Sequence, residues 1–295
     1  MSAFFTIDSS LLTDYEHVEL LGEGSFGRLH LCRNRHNGKR RAIKLVMPAG
    51  GEQSNEFAQS VKETELQQKL ANSEFVASVF SWGTIDGQYL WVLLEWCEGG
   101  MLTSLISSKK KGGITAMNQE KIMPYCNHLA QGLSHIHELL VMHRDIKPDN
   151  ILVSLNRSSG ERILKYSDFG LALQLDGDSL NTHGRCGTEE YLAPEVDARQ
   201  PYTLTADCWS LGIVLFQLFT GTAQSALGSH RFTAACKVEP RSEAVSRTLE
   251  KLDERKAVLL NLLLQSDPAK RSSANDLVAF LIPRRPSVRR RSVSM

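Results

Sequence analysis

The chain has 295 residues, 42% of them hydrophobic, and its 34 basic and 33 acidic side chains give a net charge of +1. That is enough apolar material for a full core, in one large domain or two lobes, and it excludes a disordered or collagen-like chain. The last 15 residues hold Arg284, Arg285, Arg289, Arg290 and Arg291 and no acid, which leaves −4 on the remainder and argues against a nucleic-acid binder.

Cys32, Cys97, Cys126, Cys186, Cys208 and Cys236 are scattered, with no C-x-x-C pair and no His at zinc spacing. The pattern reads as reduced thiols, and so as a cytoplasmic or nuclear protein. No apolar run reaches the ~18 residues of a membrane span, the best being Leu211 to Phe219. Met1 to Phe5 has no basic region before its apolar residues, unlike a secretory signal.

From Tyr15 to Val46 the pattern is strand-like, over His17–Leu21, Arg28–Cys32 and Arg40–Val46, with His36-Asn37-Gly38 as a turn. Between the first two runs lies Gly22-Glu23-Gly24-Ser25-Phe26-Gly27. Without side chains at its three glycines, this loop can close over phosphates and present its amides. A dinucleotide-binding fingerprint needs a helix straight after the third glycine, and here a strand-like run follows. Lys44 lies in an apolar strand; taken alone it reads as a snorkelling surface lysine.

Asn55 to Leu70 reads as an amphipathic helix, with Phe57, Val61, Leu66 and Leu70 near the helical period. Glu63 falls near that apolar face and Glu65 off it. Gln88 to Leu94 reads as a buried strand, broken by Glu95-Trp96-Cys97-Glu98-Gly99-Gly100. Met117 to Leu140 is a long helix candidate. It leads into His143-Arg144-Asp145-Ile146-Lys147-Pro148-Asp149-Asn150, a polar loop between two apolar runs. Eighteen residues past Asn150 comes Asp168-Phe169-Gly170, followed by a polar segment up to Ala193-Pro194-Glu195. Asp207 to Gly212 then opens a strongly apolar helix.

In this order the pieces resemble a eukaryotic-type protein Ser/Thr kinase, over roughly Tyr15 to Ile282. The resemblance implies an α+β, bilobal fold with a small β-rich N-lobe and a larger helical C-lobe. It divides the chain into an extension over 1–14, a kinase domain over 15–282 and a basic, disordered tail over 283–295. It implies ATP and Mg²⁺, and protein substrates with a Ser or Thr acceptor. Leu21, Gly22, Glu23, Gly24, Ser25, Phe26 and Gly27 would cover the nucleotide. Leu29, Ala42 and Leu152 would sandwich the adenine ring, with backbone groups of Glu95 and Cys97 on its edge and Leu94 as gatekeeper.

By the same resemblance, Lys44 contacts the α/β-phosphates and takes Glu63 as its carboxylate partner. Asp145 accepts the proton of the substrate hydroxyl, Lys147 neutralises the transferring phosphoryl, and Thr188 seats both. Asn150 and Asp168 hold magnesium, as hard oxygen donors suit that ion. Lysine two residues after Asp145 is the Ser/Thr form of the loop. Asp207 is expected on the catalytic-loop backbone, and Arg271 against Glu195.

Three positions depart from the common pattern. Gln67 stands where many kinases have an apolar residue facing the Phe of the D-F-G motif. Met101 replaces an acid that bonds the ribose and can read basic substrate residues. Gly184 occupies the usual phosphosite position, leaving Ser179 and Thr182, although Arg144 usually marks kinases ordered by a phosphate. Asp176 and Asp178 offer charge without modification. Gln67, the Glu95–Gly100 hinge, Asp168 to Ala172 and Cys186-Gly187-Thr188 are similar to the checkpoint effector kinases of the calcium/calmodulin-kinase-like group, and Leu171 implies serine over threonine.

The tail places arginines two and three residues before Ser287 and Ser292. It reads as a solvated basic end, an acceptor at Ser287 or Ser292 for an upstream kinase, for which Thr182 of the polar segment is the other candidate, a pseudosubstrate or an import signal. Two rival classes are a pseudokinase scaffold and a small-molecule kinase. The presence of Lys44, Asp145 and Asp168 opposes the first, and the Gly187 to Glu195 segment opposes the second.

Overall fold

Five runs of alternating or apolar residues pair antiparallel to build the first layer. In the computed structural model, residues 14–24, 27–48, 50–107, 122–156, 159–176, 181–221, 234–237 and 243–282 are described. Strands β1 (Tyr15–Gly24), β2 (Gly27–Asn34), β3 (Arg40–Val46), β4 (Val79–Ile85) and β5 (Tyr89–Glu95) form one antiparallel sheet in the order β1-β2-β3-β5-β4. Gly27 sits at the β1–β2 turn with φ 148, and a Cβ there would run into the Leu45 carbonyl. Only glycine lets the loop fold this closely over β3.

Helix α1 (Asn55–Leu70) packs on this sheet, and its first turn is capped by the Ser54 side chain, which accepts from the Phe57 amide. Its buried face differs from the one apolar periodicity marks, because it includes Thr64 and Gln67. Both are satisfied by backbone: Thr64 Oγ1 donates to Ser60 O at 2.8 Å and Gln67 Nε2 to Ala77 O at 2.9 Å. Polar residues are tolerated there because each buried donor has an acceptor.

The second layer is helical. Helices α2 (Leu102–Ser107), α3 (Ile122–Glu138), α4 (Thr205–Thr220), α5 (Glu243–Leu249), α6 (Glu254–Leu263) and α7 (Ala274–Leu281) surround a large apolar core. Ile122, Leu129, Leu133 and Ile136 of α3 lie in it, and Met117 to Lys121 fall outside the described residues. The helix ends at Glu138, two residues before the expected Leu140, whose φ of 55 cannot continue it. The apolar run Leu211 to Phe219 is the buried body of α4. Among the described residues, no helix is long and apolar enough to cross a membrane.

Two short ladders lie against the helices, β6 (Val141–Met142) with β9 (Leu173–Gln174) and β7 (Ile151–Leu155) with β8 (Arg162–Tyr166). The polar loop between β6 and β7, and the D-F-G turn after β8, therefore emerge side by side. This is the bilobal α+β arrangement, and the cleft opens between its halves.

Candidate active site

The cleft is a cavity of about 710 Å³ whose walls come from both layers. Leu21, Leu29 and Ala42 line it from the sheet, Glu95 and Cys97 from the segment that joins the layers, and Leu152 from below. Lys44, Glu63, Lys147, Asn150, Asp168 and Thr188 also line it. Gly22, Glu23, Gly24 and Gly27 border an adjoining cavity of about 800 Å³ with Lys44, Glu63 and Asp168. Ser25 and Phe26 lie outside the described residues, as do Ser179, Ser287 and Ser292.

β3 carries Lys44 opposite Val92 of β5, and its Nζ lies 3.0 Å from Glu63 Oε1 on α1. Of the two acids on that stretch of helix, it is Glu63 that faces the lysine. One turn earlier, Gln59 Nε2 donates to the Gly170 carbonyl at 3.3 Å, so the same helix touches the D-F-G turn.

Asp145 is held on both carboxylate oxygens. Oδ1 accepts from the Thr188 amide at 3.0 Å and from Thr188 Oγ1 at 2.6 Å. Oδ2 accepts from Asn150 Nδ2 at 2.9 Å and lies 2.8 Å from Lys147 Nζ. Lys147 Nζ also donates to Thr188 Oγ1 at 2.8 Å. Burial pushes the Asp145 pKa up, but the hydrogen bonds from Lys147, Thr188 and Asn150 outweigh it and hold the carboxyl below its ordinary range. Asn150 Nδ2 also donates to the Asp145 carbonyl at 2.9 Å. Both bonds use the amide nitrogen, which fixes the flip of the side chain and leaves Oδ1 as an acceptor.

Beneath the loop, Asp207 of α4 accepts from the His143 amide at 2.8 Å and the Arg144 amide at 2.9 Å, and lies 3.1 Å from His137 Nε2. Its burial raises the pKa, and the bond from His137 and the charges nearby more than offset that. Arg144 adopts φ 65 and Asp168 φ 59, conformations that a structure must hold in place. Phe169 is 1% exposed, its ring 4.8 Å from that of His143. The segment after it is tied by backbone. Arg144 Nε donates to Leu171 O at 2.6 Å, and Thr182 pairs with Tyr202 through bonds of 2.9 and 3.0 Å. Arg185 lies between Glu189 at 3.4 Å and Asp197 at 3.1 Å.

Residues 15–280 match the protein kinase domain. The chain belongs to the protein kinase family. It is 30% identical over 258 residues to the Serine/threonine-protein kinase PAK 5 of Rattus norvegicus, covering 88% of this chain and 34% of that protein. It is 36% identical over 216 residues to the Mitogen-activated protein kinase kinase kinase 6 of Homo sapiens, covering 70% and 16%. With the Aurora kinase of Yarrowia lipolytica it shares 29% over 275 residues, covering 90% and 67%. The kinase thus spans about a third or less of the length of the first two relatives.

The buried Cys97 thiol of this kinase is pushed up to about 12 by burial, so it lines the cleft as a neutral group and not a nucleophile. Met101, 47% exposed, stands at the cleft mouth with no carboxylate to offer. Sequence reasoning missed Gln59, His137 and Lys165. Lys165 had one available signal, a basic residue inside the apolar run Ile163-Leu164-Lys165-Tyr166, where an unpaired charge would be costly.

Proposed function

We propose that the protein is a Ser/Thr kinase that transfers the γ-phosphoryl group of ATP to a protein hydroxyl. The observation that carries this reading is the convergence of Lys44, Asp145, Lys147, Asn150 and Asp168 on one cleft, with Asp145 tied to Thr188 and Asn150. The adenine ring would lie between Ala42, Leu29 and Leu152, with its edge on the backbone of Glu95 and Cys97. The glycine loop and Lys44 would hold the phosphates, with Glu63 positioning Lys44. Asp145 orients the acceptor hydroxyl and takes its proton as the oxygen bonds to phosphorus and the bond to the ADP oxygen breaks. Lys147 offsets the charge on the phosphoryl in flight. Positioning and charge account for most of such catalysis.

The donor set fits magnesium. Asn150 Oδ1 and the Asp168 carboxylate are hard oxygens, and two protein donors suffice for an ion that keeps waters and shares substrate phosphates. When bound there, the ion would neutralise phosphate charge. We further propose a kinase domain over 15–282, with an extension over 1–14 and a basic tail over 283–295. Scattered cysteines that read as reduced thiols favour a cytoplasmic or nuclear setting. An upstream kinase acting on Ser287, Ser292 or Thr182, and kinship with checkpoint effector kinases, are further proposals. Met101 argues against a strong preference for arginine-rich substrates.

Radiolabel transfer from ATP to a generic Ser-containing protein tests the reading. Wild type transfers and Asp145→Ala does not; a wild type that binds ATP but transfers nothing under any condition favours the scaffold.

The hold on Asp145 has its own consequence. A carboxylate with a depressed pKa stays ionised as pH falls, until the medium passes below that pKa. Thr188→Val removes one lowering hydrogen bond and keeps the shape. Measured against pH, the ratio of its kcat/KM to that of wild type should therefore fall as the medium becomes more acid, with the nucleotide's own titration cancelling. A ratio independent of pH would remove Thr188 from this role.

A further inference from the structure

We propose that the ion pair between Glu95 and Lys165 is a positioning clamp for the nucleotide, fixing the backbone edge that faces the base relative to β8, the strand that leads into the Asp168 turn. The inference rests on the ATP-binding reading above. Lys165 Nζ lies 3.1 Å from Glu95 Oε1, with side-chain exposures of 9% and 19%. Among the described residues, Glu95 is the carboxylate paired with this lysine. Its neighbours in β8, Leu164 and Tyr166, are fully buried, so the charge is carried into the core strand on purpose of fold and not by surface chance.

The other carboxylate oxygen is also used. Glu95 Oε2 accepts from the Ser78 amide at 3.2 Å, and the Glu95 amide donates to Ser78 O at 2.9 Å. Ala77, next in the chain, donates its amide to Tyr166 O at 2.8 Å, and Tyr166 follows Lys165. The contacts therefore close into a ring: Glu95, Ser78, Ala77, Tyr166, Lys165 and back to Glu95. One side of the ring is the start of the segment that lines the cleft between the layers. The other is β8, whose Lys165 pairs with Leu152 in the cleft floor and which ends two residues before Asp168. Cutting the ring at the ion pair leaves the base edge free to shift relative to the floor and to the phosphate end, and a misplacement of that kind costs binding.

Removing one charge alone would strand the other in a half-buried site, so the test removes both. In the full chain, Glu95→Gln/Lys165→Met keeps size and leaves no orphan charge. ATP affinity by calorimetry, steady-state KM and kcat, and melting temperature are read together. The expected result is a KM and Kd for ATP raised roughly tenfold, the scale of losing a hydrogen bond to a charged group, with a cooperative melt retained. The single variant Glu95→Gln, which leaves the Lys165 charge stranded, should raise KM at least as much as the double. A folded double or single variant whose KM for ATP equals wild type overturns the clamp, because a merely structural pair would move only the melting temperature. A wild type that binds no ATP removes the kinase reading and this inference with it, whereas an active wild type with indifferent variants removes the clamp alone.

Discussion

Replacing Asp168 by Asn is expected to lower turnover about 10³-fold or more, the scale of removing one charge partner of a phosphoryl-transfer transition state. The fold should hardly notice. Asp168 is exposed and sits at φ 59, a left-handed conformation that Asn adopts as readily as Asp, and its weak bond from the Gly170 amide at 3.4 Å can be kept by an amide oxygen. What changes is charge: a neutral amide is a poorer donor to magnesium than a carboxylate. Lys44→Met should behave alike, since Lys44 is 36% exposed and methionine retains the apolar stem. Steady-state kinetics and thermal melts on the same preparations check both. A well-folded Asp168→Asn enzyme with normal turnover would overturn the magnesium assignment.

The side chains behind that prediction were readable because phosphoryl transfer demands particular groups at short, fixed offsets. Asp145, Lys147 and Asn150 sit in one loop, and Asp168 in the next. Elements were readable for a similar reason: alternation marked β1 to β3, and α1 spans Asn55–Leu70 as its pattern indicates. The contacts that join elements left no such trace. Gln59 meets Gly170 across 111 positions, and Glu95 of β5 meets Lys165 of β8. No local period records a partner so far along the chain. Gln67 illustrates the converse. A polar residue on a face expected to be apolar looked like a departure, and the structure accounts for it with the Ala77 carbonyl, an acceptor that only the folded chain presents.

Arg144 is tethered within the chain itself. Its Nε is engaged by the Leu171 carbonyl, while the Lys44–Glu63 pair is closed and Phe169 is buried against His143.

The largest stability loss is expected at Arg271. Its side chain is fully buried and its five N–H donors are all used. Nη1 bonds Glu195 Oε1 at 2.6 Å and Thr205 O at 3.0 Å; Nη2 bonds Glu195 Oε2 at 3.0 Å and Gln265 O at 2.9 Å; Nε bonds Gln265 O at 3.1 Å. The guanidinium also lies 5.3 Å from the centre of the Trp209 ring. Arg271→Ala removes every partner of a carboxylate buried to 3% exposure and opens a cavity beside Trp209. The expected cost is about 3–5 kcal/mol, the range for breaking a buried pair by removing one member. At roughly 2–4 °C per kcal/mol for a large domain, the melting temperature should fall by about 6–20 °C. Arg271→Lys should recover little, because a point charge cannot serve both carboxylate oxygens and two carbonyls in one plane. Adding Glu195→Gln to Arg271→Ala should recover part of the loss, since the stranded charge is then gone. If the double variant melts no higher than the single, the penalty comes from the lost carbonyl bonds and the cavity, and the ion pair with Glu195 contributes little to holding the C-terminal helices against α4.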